Sequence, residues 1–137
     1  MTLLLSLLLV IGVVLMGGCA GGEIETPTQI IEDITPQEAF ALIQDNQNNP
    51  DFVILDVRTP EEFAEEHIEK AVNLDYYSET FPEVLNLLDK NKTYLVYCKV
   101  GGRSGNALDI MAELNFREAY NIGGIIDWKA AGLPTAK

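Results

Sequence analysis

The sequence lacks an apolar run long enough to cross a membrane comfortably, has few basic residues and almost no cysteine, and each shortage removes a class of function. Only nine basic side chains stand against 21 acidic ones, a net charge of −12. A surface of that sign repels phosphate backbones and anionic lipid, which excludes nucleic-acid binding and any membrane attachment driven by charge alone. The chain has two cysteines, Cys19 and Cys98. If Cys19 is consumed elsewhere, no intramolecular disulfide can form. No repeat or low-complexity stretch appears, and Gly123-Gly124 is followed by no Lys-Ser or Lys-Thr, so a phosphate-binding loop is not expected there.

What is present begins with the charge-free first 22 residues. The apolar stretch up to Met16 falls short of the roughly 20 residues that span a bilayer, and its length suits the core of a signal peptide. It ends in Leu15-Met16-Gly17-Gly18-Cys19 followed by Ala20-Gly21-Gly22, which resembles a lipoprotein signal with Cys19 as the lipidated residue. Residues 1–18 are then the signal, residues 19–29 a small, acidic, proline-containing tether, and residues 30–137 one domain with a single core. Whether the signal is cleaved or retained as an anchor, the domain is expected outside the cytoplasmic membrane, held to it by lipid at Cys19 or by the segment itself.

The domain reads as short apolar strands alternating with amphipathic helices. Thr35-Pro36-Gln37-Glu38 and Thr59-Pro60-Glu61-Glu62 are capping boxes with proline at the first helical position. They open helices running to about Gln47 and Glu66. Phe52 to Leu55 and Thr93 to Tyr97 are continuous apolar runs suited to strands buried on both faces of a parallel sheet. Ala71 to Leu74 and Ala119 to Ile122 read as further strands. Phe81 to Leu88, with Val84, Leu85 and Leu88 on one face, Ser104 to Leu114, and Ile125 to Ala131 read as helices. The pattern predicts an α/β fold with a mainly parallel central sheet and helices on both faces. Ligands bind such sheets beyond the carboxyl ends of the strands, where Asp56 and Cys98 both fall.

Cys98 is followed by Lys99-Val100-Gly101-Gly102-Arg103 before a helix opens. Glycines let successive backbone N–H groups converge on one point, and the helix N-terminus adds partial positive charge there. A thiolate in such a cradle is stabilised, so Cys98 is expected to ionise below the ordinary thiol value of about 8.5. Lys99 and Arg103 add positive charge. The plainer alternative is a buried structural cysteine ending an apolar strand; two of nine basic residues lying beside it favour the reactive one.

Leu55-Asp56-Val57-Arg58-Thr59-Pro60-Glu61-Glu62-Phe63, His67-Ile68, Ala71-Val72-Asn73-Leu74, Tyr97-Cys98 through Ser104, and Ile122-Gly123-Gly124-Ile125-Ile126-Asp127-Trp128 with Gly132-Leu133-Pro134 together resemble the single-domain rhodanese-like sulfurtransferases. The resemblance covers Ile34 to Pro134. It implies a Cys98 thiolate that takes a sulfane sulfur as a persulfide from thiosulfate or a similar donor and passes it to cyanide or a thiol, with no metal or organic cofactor. The loop Lys99, Val100, Gly101, Gly102, Arg103 and Ser104 would bind the substrate. Related cell-cycle phosphatases and arsenate reductases have loops one residue longer, and the shorter loop suits a single sulfur atom better than a tetrahedral phosphate. A non-catalytic module that carries sulfur or docks on a partner in the envelope is the alternative, and no protein partner is named by the residues. The pattern departs where Glu66 and Lys70 stand at positions that many members fill with glycine; Glu66 would add an acidic rim near the mouth.

Five residues invite a further role. Asp56 and Arg58 are expected to be structural beside the site, Arg58 pairing with Glu62 or Asp56 to fix the loop. His67, the only histidine, is expected to stabilise a turn or cap a helix, and Trp128 to pack in the core. Arg103 is left between an anionic substrate and a distant acid.

Overall fold

A computed structural model describes residues 18, 21, 22 and 27–137 of the chain. The expected signal segment through residue 17 and the expected lipidation site Cys19 lie outside the described residues. Among the described residues, no helix is long and apolar enough to cross a membrane.

Strands β1 (Ile30–Asp33), β2 (Phe52–Asp56), β3 (Val72–Asn73), β4 (Thr93–Cys98) and β5 (Glu118–Gly124) form one sheet in the order β1-β5-β4-β2-β3. Every neighbouring pair is parallel, so the sheet is wholly rather than mainly parallel. Helices α3 (Phe81–Leu87) and α4 (Gly102–Glu113) pack on one face and α1 (Pro36–Asp45) and α5 (Ile125–Ala130) on the other. The short α2 (Pro60–Glu65) has no fully buried residue. β4 is central, and its side chains alternate as a pleated strand requires: Tyr94, Val96 and Cys98 enter the α3/α4 core, Leu95 and Tyr97 the α1/α5 core.

Both capping boxes form. The Thr35 and Thr59 side chains accept from the Glu38 and Glu62 amides, and those glutamates accept from the threonine amides. Helix α1 stops at Asp45, short of Gln47, because Asn46 turns its side-chain amide back to the Leu42 carbonyl at 2.9 Å and closes the C-terminus. On α3 the buried pair is Phe81 and Leu85, while Val84 is exposed. Strand β1 carries no sequence signal of its own: two of its four residues are acidic, and it exists through its backbone pairing with β5 along the sheet edge.

The connection leaving β2 runs to β3 on one side and that leaving β4 runs to β5 on the other. The carboxyl ends of β2 and β4 thus flank the point where the winding reverses, the usual ligand crevice of an open α/β sheet. Asp56 lies opposite Tyr97 there, one residue before Cys98.

Candidate functional site

Cys98 is the last residue of β4, and its side chain faces the N-terminus of α4. Gly101, at φ 101°, caps that helix in the left-handed conformation, which glycine adopts without steric cost. The turn brings the Gly101 N–H to donate to Cys98 Sγ at 3.0 Å. Ser104 Oγ lies 3.4 Å from the same sulfur, and the Val100 and Ser104 amides are also directed at it. Burial pushes the thiol upward, but the donors, Ser104 first among them, outweigh it and hold Cys98 below its ordinary value. The Ser104 hydroxyl has one proton and three acceptors within reach, the others being the carbonyls of Gly101 at 3.1 Å and Gly123 at 3.3 Å. An ionised sulfur is the strongest acceptor of the three, so ionisation of Cys98 draws the proton onto it. Cys98 has no exposed surface.

Not all of the expected binding residues turn inward. Lys99 and Gly102 are exposed. Arg103 is turned away toward α2, donating through Nη1 and Nη2 to Glu62 at 2.8 and 3.0 Å, with Tyr77 against its guanidinium at 5.3 Å. This pairing with an acid 41 residues away holds the Glu62 carboxyl down at about 2, with the Thr59 amide assisting against burial, and raises Arg103 further above its ordinary value. Arg58 chooses Asp56: its Nη2 donates to Asp56 Oδ2 at 2.7 Å and to the Glu66 carbonyl at 2.6 Å. Both members of that pair are buried, and Asn73 ties the same turn by donating to the carbonyls of Asp56 and Arg58.

His67 lies at the end of α2, its Nδ1 2.8 Å from the Phe63 carbonyl and its ring stacked on Phe63 at 3.9 Å. Trp128 is buried, donating to the Pro134 carbonyl at 2.9 Å. Glu66 does not stand as a free acidic rim: its carboxylate is taken up by Lys129 at 2.6 Å and by Thr135. Lys70 keeps the left-handed turn that glycine would favour, at φ 67°, a conformation that costs a side-chain-bearing residue roughly 1–2 kcal/mol.

Gly123-Gly124, where no phosphate-binding loop is expected, has a packing role in the structure. A Cβ on Gly124 would stand 2.1 Å from the Lys99 carbonyl oxygen and 2.6 Å from Val100 Cα. The loop therefore rests directly on the bare backbone at the end of β5. The doublet was visible in the sequence, but its partner across the sheet was not. No cluster of metal-ligating side chains occurs among the described residues. A cleft of about 370 Å³ between α1, β2 and the turn at Lys70 includes no residue of the Cys98 loop.

The family model of the rhodanese-like domain matches residues 35–131. The chain belongs to the rhodanese-like domain family. Among curated relatives of this rhodanese-like chain, the thiosulfate sulfurtransferase PspE of Escherichia coli is 36% identical over 73 residues, 53% of this chain and 70% of the relative. The thiosulfate sulfurtransferase GlpE of Coxiella burnetii is 36% identical over 100 residues, 72% and 88% of the two chains. A rhodanese-related protein from Thermoplasma volcanium superposes with TM-score 0.63 at 27% identity, over 77% of this chain and 97% of its own. An E. coli rhodanese solved with anions gives TM-score 0.52 at 32% identity, over 63% and 98%. At the level of the family, this is a sulfurtransferase fold.

Proposed function

We propose that this rhodanese-like protein moves a sulfane sulfur from thiosulfate or a related donor to a thiophilic acceptor through a persulfide on Cys98, on a domain moored outside the cytoplasmic membrane by lipid at Cys19. The observation that carries the chemistry is the donor set on one sulfur: the Gly101 amide at 3.0 Å and the Ser104 hydroxyl at 3.4 Å, at the mouth of a parallel sheet. The Cys98 thiolate attacks the outer sulfur of thiosulfate. The new S–S bond forms as the bond to the sulfonate sulfur breaks, and sulfite leaves with the electron pair. An acceptor such as cyanide then takes the outer sulfur as thiocyanate and returns the Cys98 thiolate. The same amides and hydroxyl stabilise the anionic sulfur at both stages, before and after it acquires its second atom. Lys99 is exposed within the loop, and the Arg103 guanidinium is neutralised by Glu62.

Intact mass of the protein incubated with thiosulfate tests this. A gain of one sulfur atom that cyanide removes, and that is absent in Cys98→Ser, is expected; no adduct and no thiocyanate would overturn the reading. The full burial of Cys98 favours a second reading, a carrier that holds the sulfur for a partner. An adduct that forms and persists in cyanide would select it. A phosphatase or arsenate reductase reading has the shorter loop against it, and Cys98-dependent hydrolysis of an aryl phosphate would revive it.

A further inference from the structure

Six large apolar side chains are exposed among the described residues, and three of them ring the Cys98 loop. Val100, 70% exposed, belongs to the loop itself. Ile126, 48% exposed, stands in the first turn of α5 and donates its N–H to the Lys99 carbonyl at 3.4 Å. Tyr77, 67% exposed, follows β3 and lies against Arg103 in the first turn of α4. Three separate elements thus place an apolar group at one mouth, which no single helix or strand pattern demands. The bidentate Glu62–Arg103 pair neutralises the guanidinium beside Tyr77, while exposed Lys99 stands next to Val100, on a molecule whose net charge is −12.

We infer that the collar of Tyr77, Val100 and Ile126 selects the sulfur acceptor, and that this acceptor is a polypeptide thiol: a cysteine flanked by apolar residues on a neutral or basic partner. The inference rests on the proposed sulfur transfer through Cys98. Cyanide and small thiols have nothing to lay against such a collar, whereas a cysteine with apolar neighbours buries them on it as its sulfur enters. The charge of the domain repels acidic partners and draws basic ones. In the transfer step the peptide thiol loses its proton to solvent. Its thiolate attacks the outer sulfur of the persulfide, a new S–S bond forms on the peptide, and the bond to Cys98 Sγ breaks with its electron pair returning to Cys98. No oxidant or reductant is consumed.

The test compares three acceptors on the full chain loaded with thiosulfate: cyanide, a basic peptide with its cysteine between Leu and Phe, and the same peptide with Ser at both flanks. Expected is a kcat/KM about tenfold higher for the apolar-flanked peptide than for the serine-flanked one. In Tyr77→Ser/Ile126→Ser that preference should vanish while the cyanide rate is unchanged. Thiocyanate formation with equal rates for the two peptides overturns the collar's role and leaves the sulfur-transfer reading standing. No persulfide and no thiocyanate overturn both. A concentration-dependent dimer, or binding to zwitterionic lipid vesicles, that the double variant abolishes would assign the collar to self-association or to the membrane and overturn it equally.

Discussion

Asp56 and Arg58 stand side by side under the loop that follows β2, one fully buried and the other 5% exposed. Removing one partner of such a pair strands the other charge away from water. Asp56→Ala is therefore expected to lower unfolding stability by about 3–5 kcal/mol, read as a shift in the urea midpoint; a loss near that of a surface substitution would contradict the pair's structural role. Glu62 makes a prediction of opposite visibility. Its carboxyl, held at about 2 by Arg103 and by the Thr59 amide against an ordinary 4.5, is depressed by folding. Its contribution to stability is present above about 4.5 and is lost as the pH falls from there toward 2. Thermal unfolding followed across that window should show a steeper loss for the native protein than for Glu62→Gln. Cys98 itself was legible in the sequence as a thiol in a cradle. The partner of Arg103 was not, because an ion pair across 41 positions leaves no local pattern.

Elements converge on the site through backbone contacts more than through side chains. The Cys98 loop lies on Gly124, whose missing side chain leaves room for the Lys99 carbonyl, and α5 returns an amide to that same carbonyl. Gly124→Ala forces the loop off its seat. The rate of Cys98 persulfide formation is expected to fall about a hundredfold, the scale of a misplacement near 1 Å at a reacting centre. The expected companion is a stability loss of about 1–3 kcal/mol from overpacking. Rapid-quench mass measurement of the adduct, paired with a melting curve, separates the two effects; an unchanged rate would sink the packing role given to Gly124. The capped helices α1 and α2 and the buried strands β2 and β4 were readable because each carries its own start signal or apolar run. Strand β1 was not, since two acidic residues in four give no alternation and only the edge of β5 orders it.

For the molecule as a whole, the acidic excess shapes how the proposed anchor must act. A chain of net −12 gains nothing from anionic lipid, so attachment depends on acyl chains, and two or more are needed for stable residence. Cys19→Ser is accordingly expected to move the protein from the membrane fraction to the soluble fraction of an expressing cell, with no dependence on salt. Retention in the membrane by the variant would point to the uncleaved apolar segment as the anchor, and release by salt would contradict the lipid. The wholly parallel sheet brings the loops after β2 and β4 to one crevice, and the reversal of winding between those strands is what makes a single mouth from residues 56 to 62 and 98 to 104.

The order of the elements from α1 to α5, the capping boxes and the setting of Cys98 at a strand end before a glycine-bearing turn were determined by the sequence alone, because each rests on neighbours within a few positions: an apolar run, a threonine three residues before a glutamate, glycines after a cysteine. Only the tertiary structure decided that Arg103 serves Glu62 rather than an anionic substrate, that Arg58 takes Asp56, and that Gly124 is the floor on which the Cys98 loop rests. Those choices depend on which strand ends the parallel sheet sets side by side, and distances across a sheet are written in no local stretch of the chain.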